Sequence, residues 1–272
     1  MNKVVLENGV QVPQLGLGVF QAEEGKETES AVMWALQAGY RHIDTAALYG
    51  NERSVGNAVK KSGIPREHIF LTSKVWNSDI RNQRVLQSFN HTLKSFQSDY
   101  IDLYLLHWPV VGKEYAWKLL ERLYEEGKVR AIGVSNFQPH HLEEIMRIAH
   151  IKPMVNQIES HPLMNNQAVI DYCHQAGIAV GAWSPLGGPR INLLQHPLLQ
   201  ELAIKYGKTE AQIVLRWHIQ RGLIVVPKSV HKERIESNSK IFDFTIEDGD
   251  MTLLQSMDMG FRVGPDPDHF DF

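Results

Sequence analysis

Three short apolar runs break off in residues a soluble core would not choose. Tyr40-Arg41-His42-Ile43 ends in Asp44, Ile69-Phe70-Leu71-Thr72-Ser73 ends in Lys74, and Ile101-Asp102-Leu103-Tyr104-Leu105-Leu106 ends in His107. Tyr49 follows shortly after the first of them. A lysine beside an aspartate stays an ammonium, since each partner favours the charged form of the other. That ammonium next to Tyr49 would stabilise a phenolate and lower the tyrosine pKa. The result would be a general acid usable near neutral pH, where an ordinary phenol is poorly matched. His107 would then hydrogen-bond and orient a substrate carbonyl. Taken singly, Asp44 could cap a loop, Tyr49 could sit on an amphipathic surface, and His107 could be a satisfied core histidine. A lysine closing a run of Ile, Phe and Leu has no such ordinary reading. Together the four residues point to proton transfer at a small polar centre.

Such a centre needs elements that bring distant residues to one place, and the chain repeats the same pattern four more times. Ala131-Ile132-Gly133-Val134 ends in Ser135-Asn136, Met154-Val155-Asn156 in Gln157, Val180-Gly181-Ala182 in Trp183-Ser184, and Leu223-Ile224-Val225-Val226-Pro227 in Lys228-Ser229. Continuous apolar runs mark parallel strands buried on both faces, and in an α/β barrel the chemistry gathers at their C-terminal ends. Helical periodicity alternates with these runs, predicting helices near 27–38, 51–62, 82–96, 114–126, 139–149, 166–176, 209–220 and 232–239. An extra helix is expected around 197–206, and Thr209 is placed as an N-cap. Gly39, Gly63, Gly127, Gly177, Gly207 and Gly222 follow periodic segments, where a helix C-terminal glycine belongs. Alternating β and α segments imply a parallel sheet, and eight repeats favour a closed barrel. A first barrel strand is expected at Leu15–Phe20. The segment from Val4 to Val12, folded about Asn8-Gly9, carries the Asn-Gly hairpin signal and is expected to plug the barrel bottom. The fold class is therefore α/β, a (β/α)8 TIM barrel with an N-terminal β-hairpin and a short C-terminal tail that is coil after Phe261. The 272 residues suit one such domain over 1–272, for which about 250 is typical.

The motifs are similar to those of the aldo-keto reductases. The resemblance rests on the stretch from Gly39 to Glu52, on Ser73-Lys74-Val75-Trp76, on Asp102 to Pro109 and on Ile132 to Phe137. It continues through Pro153 to Gln157, Ser184 to Gly187 and Val226 to Val230, in order along nearly the whole chain. The chain looks closest to short bacterial members typified by diketo-gluconate reductases. The resemblance implies a barrel holding NADP(H) across its mouth, with the nicotinamide beside Asp44, Tyr49, Lys74 and His107. It implies hydride transfer to an aldehyde or ketone carbon while the tyrosine supplies the proton. Gly18 and Val19 would border the cofactor, and Ser135, Asn136 and Gln157 would hold the carboxamide. Trp183 would stack on the nicotinamide, with Ser184, Leu186 and Gly187 along the pyrophosphate. Lys228, Ser229, Val230, Arg234 and Asn238 would surround the 2′-phosphate and adenine. Two cations, Lys228 and Arg234, suit a phosphate dianion, so NADPH is expected over NADH. Ser237 departs from the pattern, standing where an acid or its amide commonly meets the adenine. The substrate wall is assigned to Phe20, Leu48, Trp76, His107 and Trp108, with Phe261 and Arg262 of the tail closing one side. A small-molecule carbonyl partner and a monomer are implied.

Composition removes other classes. A net charge of −3 leaves no basic footprint for nucleic acid or an anionic membrane surface. The one cysteine, Cys173, cannot form an internal bridge, which indicates a reducing compartment. The first residues carry too short an apolar run for a signal peptide, and no stretch approaches the roughly 20 apolar residues of a membrane span. A cytoplasmic location is expected. Gly16-Leu17-Gly18 lacks the third glycine of a dinucleotide fingerprint, Gln21 standing there; these glycines are read as letting the first strand pass close to the cofactor. His140-His141 followed by Glu143-Glu144 is read as surface, because adjacent helical residues diverge by about 100° and no third ligand is evident, so no metal is expected. Two other functions fit the same barrel mouth. A Schiff-base lyase would use Lys74 or Lys228 as nucleophile but needs that lysine neutral, and a non-catalytic cofactor sensor would keep the barrel without turnover.

Overall fold

In the computed structural model, which describes residues 2–272, ten strands and eleven helices alternate along the chain. Two strands, β1 (Lys3–Val5) and β2 (Gln11–Pro13), form an antiparallel hairpin with Val4 opposite Val12. The other eight are β3 (Leu17–Gly18), β4 (His42–Asp44), β5 (Phe70–Val75), β6 (Ile101–Leu106), β7 (Val129–Ser135), β8 (Val155–Glu159), β9 (Ala179–Trp183) and β10 (Ile224–Val225). They pair in parallel, each with the next in sequence, in one eight-stranded sheet. Bridges from Leu15 to Val225 and from Gly18 to Lys228 join its two edges, so the sheet closes on itself. Closure is why β5 and β6 are buried at every position: one face meets the barrel interior and the other the helices.

The seam explains the first strand's glycines. A Cβ on Gly18 would lie 2.7 Å from the Val226 carbonyl oxygen, and one on Gly16 would lie 2.7 Å from Nδ1 of His42. Their lack of a side chain thus permits the approach of β3 to the β10 end and to the interior. The ladder of β3 is also shorter than the expected 15–20: Phe20 lies in a turn beyond it. At β10 the regular ladder of the run predicted through Ser229 ends at Val225. Pro227 has no N–H to donate, but its carbonyl accepts from Gly18 N at 3.1 Å and pairing resumes in the bridge from Gly18 to Lys228.

The helices are α1 (Lys26–Gln37), α2 (Glu52–Lys61), α3 (Asn77–Arg81), α4 (Val85–Phe96), α5 (Lys113–Glu125), α6 (Pro139–Met146), α7 (Gln167–Gln175), α8 (Pro197–Tyr206), α9 (Glu210–Gln220), α10 (Lys232–Asn238) and α11 (Asp248–Gln255). At α9 the expected cap is present. Thr209 Oγ1 accepts from Gln212 N at 3.2 Å, and Gln212 Oε1 accepts from Thr209 N at 2.9 Å. Gly207 closes α8 at φ 61°, a left-handed conformation that favours glycine. Helices α3 and α11 were not expected. Their sequences lack an apolar period, and Gly249 in the first turn of α11 reads as a breaker. Tertiary packing holds α11: Leu254 is fully buried in a second apolar cluster with Leu199, Ile213 and Trp217 of α8 and α9. The N-terminal hairpin sits under the barrel, where Asn8 Nδ2 donates to the Arg130 carbonyl at the start of β7 (2.9 Å). Its position leaves the opposite mouth, at the strands' C-terminal ends, free for the polar residues. No helix is long and apolar enough to cross a membrane among the described residues.

Candidate active site

Side chains alternate across a strand with a period of two, so His42 and Asp44 of β4 share a face, as do Thr72 and Lys74 of β5. Both pairs point into the barrel. One layer down, His42 Nε2 meets Thr72 Oγ1 at 3.0 Å. At the mouth, Lys74 Nζ donates to Asp44 Oδ1 at 2.6 Å and to the Thr45 carbonyl at 2.9 Å. Gln157 of β8 reaches across and donates to Asp44 Oδ2 at 2.7 Å. The pair is almost wholly buried, with side-chain exposures of 1% for Lys74 and 4% for Asp44. Burial pulls the Lys74 ammonium down, but Asp44 and then Tyr49 outweigh it, and its pKa lies above the ordinary lysine value. Lys74 is therefore a fixed cation.

Tyr49 ends a 3₁₀ turn, Ala47–Tyr49, and Gly50 at φ 68° turns the chain onward. Its ring lies 5.2 Å from Lys74 Nζ and packs edge-on to His107, with centroids 5.8 Å apart. Thus the four residues come together at one rim. The expected direction of the tyrosine pKa is corrected, however. Tyr49 is half-buried as a residue, but burial of its hydroxyl raises the pKa above the usual phenol value; Lys74 opposes this without reversing it. In the absence of a ligand the phenol keeps its proton. Burial, then the charge of Lys74, holds the His107 imidazole well below its ordinary pKa, so it is neutral. Its Nδ1 is buried with no hydrogen-bond partner.

The remaining polar strand ends form a second arc. Asn136, at φ 65°, donates from Nδ2 to the His107 carbonyl (3.0 Å) and to Ser135 Oγ (3.2 Å). Its Oδ1 accepts from Trp183 Nε1 at 2.8 Å, and Ser135 Oγ donates to the Gln157 carbonyl at 2.9 Å. Every donor on the Ser135 and Asn136 side chains is thus engaged, and their spare capacity is as acceptors. Val19 is buried, its N–H donating to the Asp44 carbonyl at 3.1 Å and its own carbonyl accepting from Asn51 Nδ2 at 2.8 Å. Ser184, Leu186 and Gly187 form the turn after β9, with Gly187 N bonded to the Ser184 carbonyl at 2.8 Å. Beyond β10, Lys228 is exposed, Ser229 buried and Val230 half-buried; in α10, Arg234 is exposed and Asn238 buried.

The residues assigned to the substrate wall differ in exposure. Phe20 (49% exposed) and Leu48 (47%) stand open at the rim, and Phe20 packs on Tyr49 at 4.9 Å between centroids. Trp76 lies edge-on to His107 at 5.1 Å. Trp108, in contrast, is buried beneath Phe270 and Phe272, at 4.9 and 5.2 Å. Phe272 also stacks on Trp76, and its carbonyl oxygen accepts from Arg81 Nη2 at 2.8 Å. The tail closes one side of the mouth through Phe270 and Phe272. Nothing local in the sequence announced this, since the contacts join residues nearly 200 positions apart in the chain.

The adjacent histidines also differ from expectation. His141 is the N3 residue of a capping box, its Nδ1 accepting from Gln138 N at 3.2 Å, and this folds its ring back beside His140. The rings converge to 4.0 Å between centroids, and Asp268 meets both.

Comparison with known proteins agrees with this architecture. A profile of the aldo/keto reductase family matches residues 14–259. Glyoxal reductase of Bacillus subtilis is 48% identical over 99% of this chain and 97% of its own. The crystal structure of MGS-M4, an aldo-keto reductase from a deep-sea metagenome library of the Medee basin, superposes with a TM-score of 0.96 at 44% identity, covering 99% of this chain and all of that one. An aldo-keto reductase of Bombyx mori solved in complex with NADP has a TM-score of 0.90 at 34% identity, covering 98% of this chain and 95% of that one. The chain belongs to the aldo/keto reductase family, oxidoreductases that use nicotinamide cofactors.

Proposed function

We propose that this protein reduces small aldehydes and ketones with NADPH, Tyr49 acting as the general acid. The observation that carries the reading is the buried Asp44–Lys74 pair set against the phenol of Tyr49 and a neutral His107. Asp44 and Gln157 fix the ammonium so that it cannot swing away from the mouth. A carbonyl oxygen seated between Tyr49 and His107 receives the phenolic proton as its carbon is reduced. The charge left on the tyrosine oxygen then lies beside Lys74, whose attraction grows as the proton departs. His107 orients the carbonyl; with Nδ1 enclosed and unpaired, the tautomer that donates from Nε2 leaves only an acceptor unsatisfied. A permanently charged Lys74 cannot serve as an amine nucleophile, which disfavours a Schiff-base route there.

The cofactor, when bound, supplies the hydride. The residues present fit it. The acceptor capacity on Ser135 and Asn136 suits a carboxamide NH₂, and the indole of Trp183, pinned by Asn136, offers a ring for stacking. Lys228 and Arg234 would hold the 2′-phosphate, favouring NADPH over NADH, with Ser229, Val230 and Asn238 around the adenine. The relatives' activity on a dicarbonyl and the rim of Phe20, Leu48 and Trp76 support a small carbonyl substrate, in keeping with the mostly apolar lining of small-molecule pockets.

Tyr49→Phe is expected to lower kcat/KM for carbonyl reduction by about 10²–10⁴-fold, while NADPH still quenches the intrinsic fluorescence. Turnover near the parent rate would remove Tyr49 from its role. Lys228→Gly combined with Arg234→His is expected to weaken NADPH more than NADH in the same binding assay; equal losses would contradict the phosphate assignment.

A further inference from the structure

His140 Nε2 and His141 Nε2 lie 3.1 Å apart. Asp268 Oδ1 lies 3.0 Å from the first and 3.4 Å from the second. Three ligand-type atoms thus form a nearly equilateral triangle. Tetrahedral zinc, with bonds of about 2.0–2.2 Å, holds its donor atoms roughly 3.3 Å from one another. A single cation above the triangle would therefore reach all three without rearrangement of the backbone. Among the described residues, no other group of three histidine, cysteine or carboxylate side chains converges in this way.

We propose that His140, His141 and Asp268 form a site for a divalent transition metal of the zinc class, and that this site fastens the C-terminal tail to α6. Two imidazoles and one carboxylate suit zinc, nickel or copper better than magnesium or calcium, which prefer all-oxygen sets. The three side chains already lie together. His141 is bent back by its capping box. Asp268 sits in a turn in which its own N–H donates to Asp266 Oδ1 (2.9 Å) and His269 N donates to the Asp266 carbonyl (3.0 Å). The site is open, with side-chain exposures of 55% for His140 and 39% for Asp268, so a metal can enter and water can complete its coordination. Glu144, one turn further along α6, is engaged by Lys113 at 2.9 Å. Because His141 Nδ1 accepts from Gln138 N, the neutral ring carries its proton on Nε2. Metal binding moves that proton to Nδ1 and gives up the cap contact. Asp268 lies two and four residues before Phe270 and Phe272, so a loaded site would hold the rings that cover Trp108 and Trp76. The inference stands apart from the reductase reading, and its test uses no enzyme assay.

The test is a zinc titration against a chromophoric chelator, comparing the intact protein with His140→Gln and Asp268→Asn, followed by amide exchange over residues 265–272. One equivalent of Zn²⁺ should bind the parent and should weaken in each variant by at least about tenfold, the lower end of what loss of even an outer-shell partner causes. Excess Mg²⁺ should not compete, and zinc should slow exchange of the tail in the parent alone. Both substitutions are at exposed positions, and matching melting curves would show that folding is intact. Equal zinc affinity in all three proteins, displacement by Mg²⁺, or tail exchange indifferent to saturating zinc would each overturn the proposal.

Discussion

The phenol of Tyr49 is a stronger base in the ligand-free protein than its position beside an ammonium first implies. Desolvation scales with how much water the hydroxyl loses, and here it exceeds the pull of one neighbouring cation. For an acid that must deliver a proton to a carbonyl this is useful, because the proton is present throughout the neutral range. The sign follows directly. A group with a raised pKa stays protonated past the ordinary phenol value near 10, so the acid is lost only on the alkaline side. His107, depressed well below the ordinary histidine value near 6.5, stays neutral across the same range. We therefore expect kcat/KM for carbonyl reduction to be level between about pH 7 and 9, where neither group is expected to titrate. A pH–rate profile with an inflection inside that window would show that another group controls the proton. The identities of the four residues could be read from the chain because charged and polar side chains at the ends of apolar runs are conspicuous. The direction of the phenol's shift could not, since it depends on how completely folding excludes water.

At the scale of elements, the barrel is closed by a narrow seam, and Gly16 and Gly18 set its width. Gly18→Ala would place a Cβ 2.7 Å from the Val226 carbonyl oxygen, a contact with backbone that cannot swing aside. The expected loss is about 1–3 kcal/mol of stability, typical of overpacking, measured by denaturant unfolding. An unchanged midpoint would mean that β3 can shift without disturbing closure. Most elements were legible because their periods are unambiguous, with apolar runs for buried strands and spaced apolar residues with caps for α9. The exceptions have a common cause. Helices α3 and α11 carry little periodicity of their own. Leu254, on α11, is buried against α8 and α9, so tertiary contact rather than local preference holds that helix. The regular ladder of the last strand is shorter than its apolar run for a chemical reason, since Pro227 has no N–H to donate, and pairing resumes beyond it only as the single bridge at Lys228.

Across the whole molecule, the tail is fastened to the barrel by a carboxylate buried at the end of β8. Glu159 Oε1 accepts from Val263 N at 2.6 Å and lies 3.0 Å from His161 Nε2, and Oε2 accepts from Gly264 N at 3.1 Å. Gly264 in turn lies so close to Trp183 that a Cβ there would come within 2.3 Å of the indole. Glu159→Ala should destabilise the fold by about 1–3 kcal/mol, the cost of leaving buried donors unpaired. It should also speed amide exchange in residues 261–272 before the barrel itself opens; exchange as slow as in the parent would show that the aromatic contacts of Phe270 and Phe272 hold the tail unaided. None of this was visible along the chain. What the order of residues settled alone was the kind of fold and the chemical character of one rim, because hydrophobic period and side-chain type are local properties. Folding in three dimensions decided which partners saturate each polar group, which way burial drives each pKa, and which aromatic rings wall the mouth. Those outcomes depend on distances and water exclusion between residues far apart in sequence, and these exist only once the barrel has closed.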